Sequence, residues 1–170
     1  MSESAAGTLA VGSLAPKVRL PLLGGGEFEL SAARSQGPVV LAFFKVNCPV
    51  CQFSFPFLER LAARLRDQPG PAPVRVIGVG QNPAADVSNF ARKFGLHFPL
   101  AWDAAPAHAA SRAYGLSYVP SVFWIEPEGR IGRITVGFDR ADYAQIAQDA
   151  GAGPLFTAEE LQRLPPRRPG

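Results

Sequence analysis

Six consecutive apolar residues, Val39 to Phe44, are followed closely by two cysteines, Cys48 and Cys51, which are separated by two residues. A strand without a polar position is typical of a sheet that helices cover on both faces. Residues 50–67 then place apolar side chains at spacings of three and four, which predicts an amphipathic helix. A buried strand that leads through a pair of thiols into a helix favours an α/β fold.

The rest of the chain alternates strand and helix patterns. A run of glycines at 24–26 separates two short alternating segments, which predicts an N-terminal β-hairpin. Further strands are predicted at 74–80, 98–102, 121–125 and 131–136, and further helices at 87–94, 106–114 and 140–150. The last two strands are joined by a short turn at Glu128-Gly129, so they are expected to be antiparallel. The predicted architecture is a central mixed β-sheet flanked by helices.

Length and composition indicate one domain. The 170 residues, 47% of them hydrophobic, suit a single core. We expect a flexible N-terminus over 1–12, a domain over 13–151 and a Pro-rich C-terminal tail over 152–170, with one helical turn near 158–164. The tail carries the densest basic stretch. Because the net charge is only +3, we expect the tail to be solvated and the protein not to bind nucleic acid.

The sequence also bears on location. It holds no apolar run near the ~18 residues that a transmembrane helix needs, so no membrane contact is expected. Residues 1–8 have neither the basic nor the apolar region of a signal peptide, which favours a reducing, cytoplasmic location. With only 2 cysteines the chain cannot form a disulfide framework, which excludes a small secreted protein held together by disulfides.

The position of the cysteine pair at the start of a helix predicts redox chemistry. Free N–H groups at that end of a helix stabilise a thiolate. Pro49 suits the first helical position because its missing N–H costs nothing there, and with Val50 it leaves the sulfurs close enough to form a disulfide. We expect Cys48 to be exposed and to attack, and Cys51 to be shielded and to resolve the mixed disulfide. Lys45 either adds positive field or points to solvent.

Two other interpretations of the cysteine pair are a buried structural pair and half of a zinc site. Zinc would need two more ligands, and the histidines of the chain are His97 and His108. Their separation of eleven is outside the spacing of a zinc finger. The strand, thiol pair and helix in succession favour redox chemistry, with no metal and no cofactor.

Several of these features resemble the thioredoxin-like superfamily, especially its TlpA-like and AhpC/TSA-type redoxins, over residues 12–150. They are the strand 39–44, the motif Cys48-Pro49-Val50-Cys51, Pro56 in the following helix, and Val119-Pro120. The resemblance implies a thioredoxin-like fold in which 86–102 form an αβ insertion. It implies a cis Val119–Pro120 bond that faces the thiols, with Val119 offering backbone hydrogen bonds to a bound partner. The implied partner is a disulfide-containing protein or a small-molecule disulfide.

The sequence departs from this family pattern at two acidic positions. Thioredoxins carry a buried Asp where this chain has Ala42, and TlpA-like reductases often carry a Glu where it has Ser54. No evident carboxylate is left to accept the proton of Cys51. Asn47 also replaces the aromatic residue that usually precedes the first cysteine.

The family resemblance leaves two alternatives to a thiol–disulfide oxidoreductase. One is a peroxiredoxin-like thiol peroxidase, in which Cys51 attacks peroxide and Cys48 resolves. Against it, Phe44 and Cys48 stand where the peroxiredoxin motif has Pro and Thr, and Pro120 stands near the expected place of the peroxide-binding Arg. The other alternative is a catalytically weak redox-sensing module whose partner binding follows the oxidation state of the pair.

Overall fold

A computed structural model of the protein describes residues 9–68, 70 and 72–170. The strands in chain order are β1 (Arg19–Pro21), β2 (Glu27–Glu29), β3 (Val39–Phe44), β4 (Arg75–Gly80), β5 (Leu100–Trp102), β6 (Ser121–Ile125), β7 (Ile131–Val136), β8 (Phe138–Asp139) and β9 (Arg167–Arg168). The helices are α1 (Leu30–Arg34), α2 (Pro49–Asp67), α3 (Ala84–Phe94), α4 (Ala109–Ala113), α5 (Arg140–Asp149) and α6 (Ala158–Arg163). Over these described ranges, no helix combines the length and hydrophobicity needed to cross a membrane.

A five-stranded sheet with the order β5-β4-β3-β6-β7 forms the centre of the molecule. Strands β3, β4 and β5 are parallel, and β6 and β7 add antiparallel pairs to the side of β3. The mixed sheet and the N-terminal hairpin β1–β2 confirm the predicted fold class. The αβ unit implied by the family resemblance is α3 followed by β5, which pairs with the outer side of β4.

Strand β3 supplies alternate side chains to two separate apolar clusters. Val40, Ala42 and Phe44 belong to the cluster that includes residues of α2 and α5, while the intervening residues of β3 belong to the cluster under the hairpin and α4. All six residues of β3 are fully buried, which confirms a strand covered on both faces. Burial of each large side chain contributes about 1.5–3 kcal/mol, so this strand anchors the start of the thiol-bearing helix.

Two short helices differ from the sequence expectation. Helix α1, which begins at Leu30 directly after β2, was not predicted. The helix predicted over 106–114 is limited to Ala109–Ala113, because the Asp103 carboxylate accepts hydrogen bonds from two backbone N–H groups at its start. Helices of this length are set by such end contacts rather than by an apolar period, so periodicity does not locate them.

The C-terminal tail, expected to be solvated, is largely exposed over the described residues 152–170 but also packs against the domain. Leu155 and Phe156 are buried in the cluster that contains residues of α2 and α5. The chain then forms α6 and returns as β9, which pairs with β8. These contacts arise because the segment still carries apolar side chains between its prolines. The domain limits 13 and 151 stay predictions. Most of the expected flexible segment 1–12 lies outside the described residues.

Candidate active site

Cys48 is the N-cap of α2, the last residue before the helix begins. Its backbone is extended, with φ −87° and ψ 115°, and its Sγ accepts a hydrogen bond from the Cys51 N–H at 3.2 Å. Pro49 occupies the first turn, as predicted, so its missing N–H leaves no helical hydrogen bond unmade. The sulfur therefore lies against the positive end of the helix dipole, where negative charge is stabilised.

The two sulfurs lie in different environments. Cys48 is half-buried, where exposure was expected, because it lies against the turn before β6, whereas Cys51 is 0% exposed, as expected of a shielded thiol. Burial raises the pKa of the Cys51 thiol well above its ordinary range, and the Cys48 sulfur raises it further, against an opposing effect of the Lys45 backbone. Cys51 is consequently a protonated, shielded thiol, and none of the groups that shift its pKa is a carboxylate.

The turn before β6 lies beside Cys48, at the end of the sheet where β3 leads into α2. The Val119–Pro120 bond is cis, and the Val119 carbonyl oxygen accepts a hydrogen bond from the Cys48 thiol, with 3.5 Å between oxygen and sulfur. The Ser121 hydroxyl donates to the Tyr118 carbonyl at 2.7 Å and fixes the turn from its other side. Residues far apart in the chain meet here because β6 pairs with β3, at whose end the thiol loop begins.

A cleft of about 280 Å³ opens beside Cys48. It is lined by Lys45, Cys48, Gln81, Leu116, Ser117, Tyr118, Val119 and Gly170. Lys45 is exposed on its wall, whereas Val50 lies outside this lining and packs against the apolar cluster. Tyr118 is 62% exposed, which places a large aromatic surface next to the thiol. The cleft thus joins the predicted nucleophile to the predicted docking residue Val119.

The loop that presents Cys48 is held by polar side chains that sequence reasoning missed. Asn82 Oδ1 accepts the Val46 N–H at 3.0 Å, and Gln52 Nε2 donates to the Val46 carbonyl at 2.9 Å. Asn82 follows β4, the parallel neighbour of β3, so both loops leave the same edge of the sheet. A polar residue just after a buried strand is the signal that could have suggested this contact.

The zinc interpretation finds no supporting cluster in the described part of the chain, where no three His, Cys, Asp or Glu side chains converge on a possible metal position. His97 is exposed. His108 Nδ1 lies 2.9 Å from the Asp103 carbonyl oxygen, in the turn before α4.

A thiol pair capping a helix, opposite a cis-proline at the end of a mixed sheet, is the arrangement of thioredoxin-like redoxins. Within that class the chain belongs to the AhpC/TSA family, whose sequence profile matches residues 11–134.

Named relatives and solved structures agree with this class. The chain is 33% identical over 129 residues to the thiol-disulfide oxidoreductase ResA of Geobacillus thermodenitrificans, covering 76% of this chain and 71% of that protein. It is 29% identical over 130 residues to ResA of Bacillus subtilis, covering 76% and 69%. The thioredoxin domain of a thiol-disulfide oxidoreductase from Bacteroides vulgatus superposes with a TM-score of 0.72 at 18% identity, covering 83% of this chain and 97% of that domain, which supports the fold.

Proposed function

We propose that this protein is a thiol–disulfide oxidoreductase that exchanges two electrons with a disulfide, with Cys48 as the nucleophile and Cys51 as the resolving thiol. The observation that carries the proposal is the asymmetry of the pair. Cys48 is reachable from the cleft and caps a helix N-terminus, whereas Cys51 is fully buried and stays protonated. A thiolate is the attacking species in disulfide exchange, so the sulfur at the helix end is the one suited to begin the reaction.

The proposed reaction has two exchanges and needs no cofactor. The Cys48 thiolate attacks one sulfur of the partner disulfide, the partner S–S bond breaks, and the released partner thiolate takes up a proton. Cys51 then loses its proton and attacks the Cys48 sulfur, which breaks the mixed disulfide and frees the second partner thiol. The partner disulfide is reduced by two electrons, and Cys48 and Cys51 end as a disulfide.

The docking roles of Val119 and Pro120 belong to this proposal. The Val119 carbonyl already lies at hydrogen-bond distance from the Cys48 thiol, so an extended segment beside it would carry its own sulfur to Cys48. Tyr118, exposed at the same rim, offers an apolar surface for that segment. The favoured partner is therefore a disulfide-containing protein that can present an extended segment to the cleft.

Supporting roles are proposed for the residues around the pair. Pro49 holds the first turn so that the Cys48 sulfur remains its cap. Val50 packs one side of that turn against the apolar cluster. Lys45, exposed on the cleft wall, would stabilise the thiolate that the partner releases rather than contact the buried sulfur. The cytoplasmic location remains a sequence prediction, and no step of the reaction depends on it.

A peroxidase reaction starting at Cys51 finds less support in this geometry. Peroxide is attacked by an accessible thiolate, and Cys51 is buried, with its pKa raised by that burial. If the protein were a peroxidase of that kind, peroxide would oxidise Cys51 to sulfenic acid in a Cys48→Ser variant far faster than it oxidises a free thiol. Mass spectrometry of the peroxide-treated variant measures this rate directly.

Paired serine variants test the oxidoreductase proposal. We expect Cys48→Ser to lose at least 100-fold in the rate of insulin disulfide reduction, because the attacking thiolate is gone. Cys51→Ser should lose turnover too but should accumulate a mixed disulfide with the partner through Cys48, visible on non-reducing gels. A Cys48→Ser variant with full activity would overturn the proposal. Inactivity of the wild type, combined with partner capture that depends on oxidation state, would favour the redox-sensing alternative.

A further inference from the structure

Three polar side chains lie together inside the apolar cluster at the buried sulfur. Cys51 and Ser54 are both 0% exposed and stand one turn apart on α2. Tyr143, 1% exposed, comes from the start of α5 and belongs to the same cluster as Cys51. Its ring packs at 5.1 Å from the Phe138 ring, which fixes the position of the side chain.

The hydroxyl of Tyr143 is buried and makes no hydrogen bond within the described part of the chain. Among the buried side-chain oxygen and nitrogen atoms of the described residues, it is the one without a hydrogen-bond partner. Burial raises the pKa of Tyr143, the Ser54 hydroxyl opposes this shift, and negative charge on Cys51 adds to it. The hydroxyl therefore stays protonated, and its side chain shares the apolar cluster of Cys51. Ser54 Oγ donates to the Val50 carbonyl at 2.8 Å, which leaves its own lone pairs available.

We propose that Tyr143 is a positioning residue for Cys51, donating a hydrogen bond to the sulfur when it becomes a thiolate. The proposal rests on the resolving role of Cys51. In that step the Cys51 proton ends on the departing partner thiol, and the electron pair of the Cys51 sulfur forms the new bond to Cys48. Tyr143 keeps its own proton throughout.

A tyrosine whose role is only to fill the apolar cluster does not need its hydroxyl. An unpaired hydroxyl in an apolar cluster is unfavourable, and a phenylalanine would fill the same space without that cost. The hydroxyl becomes favourable when charge appears beside it, because hydrogen bonds to ions are stronger than those between neutral groups. No carboxylate is among the groups that shift the pKa of Cys51, so none is placed to accept its proton. In the proposed arrangement the Tyr143 hydroxyl assists the reaction in another way, by donating a hydrogen bond to the Cys51 thiolate.

The reactions of the two sulfurs can be followed separately with one equivalent of dithiobis(nitrobenzoate), which releases the coloured product thionitrobenzoate. Attack by Cys48 releases a first thionitrobenzoate and leaves a second in a mixed disulfide. Attack by Cys51 on that mixed disulfide releases the second. We expect Tyr143→Phe to leave the first phase unchanged and to slow the second about tenfold, because one hydrogen bond to a charged sulfur is lost. The rise of the second-phase rate with pH should move to higher pH.

A matched control removes the hydroxyl from the other large buried tyrosine. Tyr114 is also 1% exposed, but its hydroxyl donates to the Pro16 carbonyl at 2.8 Å, and its ring belongs to the other apolar cluster. Tyr114→Phe should lower the free energy of unfolding while leaving both phases and their pH dependence unchanged.

Equal second-phase rates and pH profiles in the wild type and Tyr143→Phe would overturn the proposal. A slower first phase together with the second would also overturn it, since that result means general damage to the site. Because the reagent reports the thiols directly, the test is valid whether or not the protein reduces protein disulfides. Failure to reduce insulin would count against the proposed function and not against the role of Tyr143.

Discussion

Asp103 is a buried carboxylate that holds the chain ahead of the docking turn, the turn that carries Val119 and Pro120. It is 2% exposed and accepts hydrogen bonds from the Ala110 N–H at 3.3 Å, the Ser111 N–H at 2.8 Å and the Ser111 hydroxyl at 2.7 Å. These bonds hold the start of α4, whose end leads through Gly115 towards Val119. One side chain thus replaces the helix cap that His108, at φ +42°, does not supply.

Removing this carboxylate should be costly for stability. We expect Asp103→Ala to lower the free energy of unfolding by about 2–3 kcal/mol, because buried N–H groups lose a charged acceptor. Ser111→Ala, which removes only the hydroxyl, should cost about 1 kcal/mol or less. Denaturant unfolding of the two variants and the wild type measures both changes. Equal losses in the two variants would mean that the backbone bonds to Asp103 contribute nothing.

At the residue scale, sequence reasoning found the groups whose signal is local. Cys48, Cys51 and Pro120 stand in short motifs, and their neighbours in the chain are enough to suggest their chemistry. Asn82 and Tyr143 carry no such signal, because what matters is a contact with a distant segment. Only the pairing of β3 with its neighbours and the packing of α5 on α2 bring them to the thiols.

At the scale of elements, the central strands and long helices were predictable because each has its own apolar run or apolar period. The predicted strands 121–125 and 131–136 match β6 and β7, and the predicted helix 140–150 matches α5. The helical turn predicted near 158–164 matches α6, which begins with a capping box between Thr157 and Glu160. The packing of the tail against the domain was not predictable, because the ion pair of Glu160 with Arg60 of α2 is a contact between distant segments.

The contact between α2 and α6 should respond to acid. The Arg60 guanidinium donates hydrogen bonds to both carboxylate oxygens of Glu160, at 2.7 and 3.1 Å. Together with the Thr157 N–H, which donates to the same carboxylate, it lowers the pKa of Glu160 to about 2. Because the folded pKa is depressed, the stabilisation is complete above the ordinary value near 4.5 and disappears as the pH falls through about 2. We expect Glu160→Gln to flatten the dependence of unfolding free energy on pH across that interval.

The adjacent Glu159 provides the control for this pH dependence. It lies in the same turn of α6 but is exposed, so Glu159→Gln makes the same change of charge away from Arg60. Its unfolding free energy should follow the wild-type curve between about pH 5 and about pH 2. The prediction fails if the two variants have parallel pH profiles.

At the scale of the whole molecule, the last residues return to the active site. Strand β9 pairs with β8, the Arg167 side chain binds Asp139 at 2.9 Å, and the Arg168 guanidinium lies 4.5 Å from the centre of the Phe53 ring. Gly170 then lines the same cleft as Cys48. A segment that composition marks as an appendage is therefore part of the wall around the nucleophile, and its attachment should control what can reach that sulfur.

Two glycines offer a matched test of this attachment. Gly137 and Gly151 both have left-handed backbones, at φ +73° and +77°. A Cβ at Gly137 would lie 2.5 Å from the Arg168 carbonyl oxygen, whereas one at Gly151 would meet nothing within 4 Å. Each Ala substitution carries a similar backbone cost of about 1 kcal/mol, but only Gly137→Ala must push β9 away from β8. The difference between the variants isolates the position of the C-terminal segment.

We expect displacement of β9 to open the cleft to bulky molecules. The ratio of Cys48 alkylation rates with a bulky maleimide and with iodoacetamide should rise several-fold in Gly137→Ala and stay at the wild-type value in Gly151→Ala, because a covering segment hinders large reagents more than small ones. Gly137 N–H also donates to the Pro120 carbonyl at 2.8 Å, so Arg168→Ala provides a second variant that leaves the docking turn intact. It removes the contact with Phe53 and should raise the ratio in the same direction. An unchanged ratio in both Gly137→Ala and Arg168→Ala would show that the segment does not shield Cys48.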